Sequence, residues 1–180
     1  MDDGSWSNDI FTSALALNAL SSYLKSTKEK TLKQEIKKGK TFLKNATNLL
    51  AERIIKTKNL YAGLDKISID FTEALLTLHN LHSLDYSLQP KIKSAFRKLE
   101  NTVSKYIEDL NNIDIACSLL NCHVIPFLEV TSDSRRILDF ALDQFFSDEI
   151  SPKQALSLVI TFYNIRTVDL LGLKEEWDRE

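Results

Sequence analysis

A chain of 180 residues can form one compact domain, and 43% hydrophobic with 27% charged residues is typical of a folded globular protein rather than a disordered one. The net charge of -2 lacks the overall basic character of nucleic-acid-binding proteins and gives no strong nucleic-acid signal. Only 4 glycines and 3 prolines leave little material for the tight turns of a β protein. The composition therefore favours an all-α fold.

The first half of the chain is predicted to contain three helices, because apolar residues recur there with helical spacing. The first helix begins near Asp9, and a lysine-rich connector leads to a longer second helix over about 32–50. A loop punctuated by Gly63 follows. The third helix is expected to begin at Asp70, whose carboxylate would cap it.

The second half continues the same pattern with up to five further helices. The fourth follows the turn "DYSLQP", the fifth begins at Asp114 and is kinked or ended by Pro126, and "SDSRRILDFALDQFF" is the sixth. Ser151 as N-cap and Pro152 at the first helical position open the seventh. The tail predicts a weak eighth helix. The stretches "IACSLLNCHVIPFL" and "ALSLVITFYNI" are too short for membrane spans and are interpreted as buried helices.

The odd-numbered helices look like copies of one unit. "DFTEALLTLH" (70–79) and "DIACSLLNCH" (114–123) share an acidic start, a small residue at the fifth place and a final His, while 9–18 and 151–160 keep part of this pattern. Such hairpins bury their apolar faces only by stacking on neighbours, and the small residues allow the inner helices to approach closely. The prediction is one domain, 1–180, with hairpins at 9–55, 68–110, 113–146 and 151–178.

The opening stretch "DGSWSNDIFTSALALNAL" resembles a unit of the α/α-toroid superfamily, which includes terpene cyclases, protein prenyltransferase β subunits and complement-type thioester domains. Its typical unit has a Gly-x-Trp turn followed by an inner helix beginning Asp-x-x-x-Thr-Ala-x-Ala-Leu. "KKGKTFLKN" (37–45) is similar to the family's outer helix. The resemblance implies that Trp6 is a structural staple between neighbouring hairpins.

The chain departs from that family in its chemistry. The Asp-x-Asp-Asp acid and Asp-Asp-x-x-Asp metal motifs of terpene cyclases, the prenyltransferase zinc ligands and the thioester Cys-Gly-Glu-Gln are not found. Family toroids also contain about twice as many hairpins. The expected fold is therefore a partial α/α toroid or a short curved α-solenoid of about eight helices.

Three aspartates are candidate ligand-binding residues because they begin inner helices: Asp9, Asp70 and Asp114. In a toroid such residues would line the mouth of the central cavity. The simpler interpretation, which applies to Ser151 as well, is that each side chain caps its own helix.

The histidines are candidate ligands too. His79 and His82 are three residues apart and could share a metal ion, but no third ligand has matching spacing. His79 and His123 occupy the same place in two repeats, which makes them candidate ligand-binding residues. Cys117 and Cys122 are interpreted as buried thiols. No metal or cofactor is predicted.

Location and charge distribution give weaker predictions. Acidic residues at the N-terminus argue against a secretory signal, no transmembrane segment is expected, and the predicted location is cytoplasmic. The segment 25–58 is basic, whereas the chain beyond Glu129 is mostly acidic. This asymmetry allows docking to an anionic surface, head-to-tail self-association or simple solvation of the lysines.

Two functional classes follow. The favoured one is a non-catalytic helical-repeat module that binds a partner protein, a peptide or an apolar small molecule on its inner-helix face. The alternative is part of an isoprenoid-processing enzyme, similar to a terpene cyclase or a prenyltransferase, as the resemblance implies.

Overall fold

The structure is a computed structural model that describes residues 4–6, 9–27, 32–147 and 150–168. These residues contain seven α-helices and no strand, which confirms the all-α prediction. The segment expected to form the eighth helix lies almost wholly outside the described residues. The helices are α1 Ile10–Thr27, α2 Leu32–Lys56, α3 Leu64–Asn80, α4 Gln89–Leu110, α5 Ile113–Asn121, α6 Ser132–Phe145 and α7 Pro152–Val168, with short 3-10 turns at Tyr86–Leu88 and Cys122–Val124.

The helices pack in two rows. In the odd row, α1 contacts α3, α3 contacts α5, and α5 contacts α7. In the even row, α2 contacts α4 and α4 contacts α6. The rows join mainly through α2, which contacts α1 and α3, and through α5, which contacts α6. The apolar core lies between the rows and runs through every helix.

The start of α3 differs from the prediction. The helix begins at Leu64 after Gly63, which has a φ of 81° and occupies the N-cap position. Asp70 therefore lies in the second turn and caps nothing, so its predicted role as an N-cap is wrong. The reason is that Leu64 and Ile67 already belong to the buried face of the helix, one turn ahead of the acidic residue that suggested its start.

Two helix starts agree with the sequence. The backbone N–H of Thr12 donates to Oδ1 of Asp9 at 2.8 Å, so Asp9 caps α1. The backbone N–H of Gln154 donates to Oγ of Ser151 at 3.3 Å, while the Gln154 side chain accepts from the Ser151 backbone N–H at 3.0 Å. This reciprocal pair is a capping box, and it places Pro152 at the first helical position as predicted.

Trp6 packs within the first hairpin. A Cβ added at Gly39 of α2 would lie 2.9 Å from the Trp6 ring and 3.0 Å from a methyl of Leu17, so the absence of a side chain at Gly39 makes room for the indole. The backbone N–H of Trp6 donates to Oγ of Ser13 on α1 at 2.8 Å. These contacts fasten the opening turn to α1 and α2. The sequence predicted that Trp6 packs between neighbouring hairpins. In the structure it packs between α1 and α2 of the first hairpin, because the opening turn folds back over α2.

Small side chains fill the middle of the odd row, as the repeat pattern predicts. Ala14 of α1, Ala74 of α3 and Ala116 of α5 are fully buried. Ala74 occupies the small-residue position of its repeat, and Ala14 occupies it after one extra residue. Ala116 lies two places before that position, which in its own repeat is held by the half-buried Ser118. Longer side chains there would force the helices apart, since protein interiors are close-packed.

We expect Ala74→Leu to lower the free energy of unfolding by about 1–3 kcal/mol, because the added atoms overpack the contact between odd helices. Asn80→Leu adds the same side chain at an exposed position of the same helix and should change stability by less than about 0.5 kcal/mol. Urea unfolding followed by circular dichroism measures both. Equal losses would contradict close packing at Ala74.

Among the described helices, none combines the length and the apolar character needed to cross a lipid bilayer.

Candidate functional site

Asp9 and Asp70 are brought together by a lysine. Nζ of Lys66 lies 3.0 Å from Oδ2 of Asp9 on one side and 3.0 Å from Oδ2 of Asp70 on the other. The backbone N–H of Thr12 and the ammonium of Lys66 lower the pKa of Asp9 to about 2. Hydrogen bonds with both carboxylates raise the pKa of Lys66. The Asp9–Lys66 pair thus fastens the N-terminal end of α1 to α3, while the Lys66–Asp70 pair lies within α3.

The low pKa of Asp9 makes stability depend on pH. The carboxylate favours the folded state fully above its ordinary pKa of 3.8, and this contribution disappears as the pH falls toward about 2. Asp9→Asn keeps a capping oxygen but loses the charge. We expect the free energy of unfolding of the wild type to exceed that of Asp9→Asn by about 1 kcal/mol at neutral pH, a value limited by the exposure of Lys66. The difference should vanish as the pH falls through about 2. Thermal unfolding of both proteins across this range tests the difference.

Asp114 and His79 do not join that group. Asp114 is exposed in the first turn of α5, where Asn112 is the N-cap and accepts from the Ile115 backbone N–H at 3.2 Å. The predicted capping role of Asp114 is therefore wrong. His79 is half-buried near the C-terminal end of α3, about 13 Å along the helix from Asp70. Burial and then the neighbouring His82 lower the pKa of His79.

His123 belongs to a buried polar cluster that the sequence did not indicate. Its Nε2 lies 2.8 Å from Oε1 of Glu100, and Oγ of Ser134 donates to the same oxygen at 2.6 Å. Phe96 packs edge-to-face on the imidazole with ring centroids 5.4 Å apart. All three polar side chains are buried. We call Glu100, His123 and Ser134 the Glu100 cluster.

The Glu100 cluster connects three elements. Glu100 lies in the middle of α4, His123 in the 3-10 turn after α5, and Ser134 in the first turn of α6. Ser134 also completes a capping box with Thr131. Oε2 of Glu100 and Nδ1 of His123 are buried without a hydrogen-bond partner, so the cluster is incompletely satisfied.

The geometry of the cluster is unlike that of a nucleophilic site. Ser134 and His123 both contact one carboxylate oxygen, whereas a hydroxyl nucleophile needs its base as direct partner. Burial raises the pKa of the adjacent Cys122 thiol well above its usual range, which keeps the sulfur protonated. Within the described residues, no three His, Cys, Asp or Glu side chains are arranged to hold a metal ion. The cluster therefore acts as an internal tie.

A shallow groove of about 300 Å³ lies between α4 and α6. Glu108 of α4 and Arg136 of α6 form an ion pair of 3.3 Å at its side, and Asp139 and Asp143 add negative charge. Phe140 is one of its few apolar walls. A groove with this charged, solvent-exposed lining does not suit an apolar small molecule, one of the ligands that the sequence analysis proposes.

Some lysines of α2 form ion pairs or hydrogen bonds with other residues of the chain. Nζ of Lys38 lies 3.0 Å from Glu35, and Lys40 donates to the backbone carbonyl of Leu81 at 3.3 Å. Part of the lysine-rich surface thus holds its own fold together. Lys28 and Lys30 lie outside the described residues.

The most distinctive surface is on α7. Its exposed side carries four apolar residues at helical spacing, which we call the α7 stripe: Leu156, Val159, Ile160 and Tyr163. Leu156 is 61% exposed and Ile160 51%. The helix has no charged residue from Gln154 to Ile165. The sequence prediction that this segment is a buried helix is therefore wrong for half of its circumference.

The inward side of α7 is occupied by α5. Nδ2 of Asn121 donates to Oγ1 of Thr161 at 3.2 Å, and Asn164 donates to the Asn121 side-chain oxygen at 3.1 Å. Val159 is two residues from Thr161, so it lies about 160° around the helix from that contact. The α7 stripe thus points away from the rest of the odd row.

Comparison with protein-family models, with curated proteins and with solved structures found no match for this chain. The candidate site is consequently defined by its own geometry.

Proposed function

We propose that this chain is a non-catalytic helical-repeat module that binds a partner protein through the odd row of helices, chiefly through the α7 stripe. The observation that carries the proposal is the α7 stripe itself, an exposed apolar helix surface without a charged residue from Gln154 to Ile165. Contiguous apolar surface of this kind is typical of protein-protein interfaces, whose centres are depleted of charge. The hairpins that resemble α/α-toroid repeats would serve as the scaffold.

The polar groups described above stabilise the fold in this proposal. The Asp9–Lys66 ion pair and the Glu100 cluster tie helices together. A rigid scaffold of this kind presents a helix surface with little loss of conformational entropy on binding.

The test compares two variants that change exposed side chains of equal accessibility. Leu156 in the α7 stripe and Tyr86 in the 3-10 turn before α4 are both 61% exposed. In an extract of the source cells, the wild-type chain should elute in a complex larger than its own 20.6 kDa. Leu156→Lys should move it to the monomer position, because a buried unpaired charge at an interface is strongly unfavourable.

Tyr86→Lys should leave the elution of the complex unchanged. Circular dichroism of the purified variants confirms that both are folded. A chain that elutes as a monomer in extract, or a complex that both substitutions weaken equally, would overturn the proposed function.

A further inference from the structure

Exposed apolar side chains are concentrated at the two ends of the helix rows. Every large apolar residue that is exposed within a described helix belongs to α1, α2 or α7. The middle helices α3, α4 and α5 expose none. Helices α1 and α2 begin the two rows, and α7 ends the odd one. A stack of repeats that is open at both ends has this distribution, because each internal face is covered by the next repeat.

The first odd helix carries a counterpart of the α7 stripe. Four apolar residues on α1 have the same spacing and end in tyrosine, and we call them the α1 stripe: Ala16, Ala19, Leu20 and Tyr23. Ala19 and Tyr23 are exposed, while Ala16 and Leu20 are half-buried. From Ile10 to Leu24, α1 contains no charged residue.

The α1 stripe also points away from the rest of the odd row. Nδ2 of Asn18 donates to Oγ1 of Thr77 on α3 at 2.9 Å, which marks the inward side of α1. Ala16 and Leu20 are each two residues from Asn18 and thus lie about 160° around the helix from it. The two ends of the odd row therefore carry outward stripes of the same spacing, exposed at Ala19 and Tyr23 on α1 and at all four residues on α7.

The two stripes differ in side-chain size at two of their four matched positions, where Leu156 and Val159 correspond to Ala16 and Ala19. The α7 stripe has Leu, Val and Ile where the α1 stripe has two alanines and a leucine. Large side chains of one helix fit against small side chains of the other, as ridges into grooves.

We propose that the partner bound by the α7 stripe is a second copy of this chain, which docks its α1 stripe there and continues the odd row from one copy into the next. The contact repeats the side-by-side packing of α1 on α3. It is heterologous, so it leads to a closed ring or to a longer stack according to the rotation between copies. This inference rests on the proposed function and names its partner.

The test uses two full-length variants, each of which blocks one stripe. Ala19→Glu places a charge in the α1 stripe, and Ile160→Glu places one in the α7 stripe. Sedimentation velocity of the purified wild-type chain should show a mass above 20.6 kDa that rises with concentration or stops at a closed ring. Each variant alone should be monomeric. An equal mixture of the two should form a heterodimer, because one copy keeps an intact α7 stripe and the other an intact α1 stripe.

Tyr86→Lys, which lies outside both stripes, should associate like wild type. A wild-type chain that is monomeric at high micromolar concentration overturns the inference. So does association of Ala19→Glu alone, which would indicate contact between two α7 stripes. A third contrary result is a monomeric wild-type chain whose melting temperature is lowered by Ile160→Glu. In that case the α7 stripe is covered by the chain's own C-terminal residues, and the inference is again overturned. If the purified chain is monomeric while Leu156→Lys still disrupts its complex in extract, only this inference falls and the proposed function stands.

Discussion

Replacing Glu100 by alanine is expected to lower the free energy of unfolding by about 3–5 kcal/mol, because it breaks a buried polar cluster by removing the partner that His123 and Ser134 share. Nε2 of His123 and Oγ of Ser134 would both lose the oxygen that they contact at 2.8 and 2.6 Å. Neither atom reaches solvent, so water does not replace the carboxylate at the same position. Denaturant unfolding followed by circular dichroism at constant pH measures the loss.

Glu100→Gln is the matched control for this prediction. Glutamine has the same shape and keeps an oxygen that accepts from Ser134 and can remain in contact with His123. It changes only the second oxygen, which has no hydrogen-bond partner. The expected loss is therefore about 1 kcal/mol. Equal, small losses in both variants would show that the Glu100 cluster does not tie α4 to α6.

Phe71→Ala is the second substitution with a large expected effect. Phe71 is 0% exposed at the centre of α3, the helix that contacts α1, α2 and α5. Truncation should lower the free energy of unfolding by about 3–5 kcal/mol, because apolar burial is lost and a cavity remains. Because domains are stable by only about 5–15 kcal/mol, this variant should unfold at a much lower denaturant concentration.

Phe146→Ala makes the same chemical change at a site that is 79% exposed. The expected change in the free energy of unfolding is within about 0.5 kcal/mol. If the two variants lost similar stability, the core between the helix rows would not have the arrangement described above.

The helical content and most helix starts could be predicted because they depend on local signals. Apolar residues at helical spacing mark the helices, and Asp9 and Ser151 have the capping chemistry of a helix start. The predicted start of α3 was wrong, and the reason is also local. Gly63 is the residue at its N-cap, but the sequence offered Asp70 as the more familiar signal.

The Glu100 cluster could not be predicted in the same way, because its three residues come from separate elements. A glutamate in an amphipathic helix usually faces solvent. One signal was present: Glu100 shares a helix face with Phe96, Val103 and Ile107, all of which are buried. A charged residue in the apolar register of a helix indicates a buried partner from elsewhere in the chain.

The exposure of the α7 stripe was missed because composition does not tell which side of an apolar helix is covered. Leu158 and Ile165 of α7 are buried, while Leu156 and Ile160 are exposed, although the residue types are alike. Only the position of α7 at the end of the odd row explains the difference. The α7 stripe is exposed because α7 is the last described helix of the odd row, and the number of helices in a row is a property of the whole fold.

Photo-crosslinking from inside the α7 stripe tests the central claim most directly. A photoreactive phenylalanine analogue at position 160, in the full chain in its source cells, should yield a crosslinked product upon illumination. The same residue at position 86, which is exposed but lies outside the stripe, should yield none. Absence of a product from position 160, or equal products from both positions, would contradict the assignment of the α7 stripe as the binding surface.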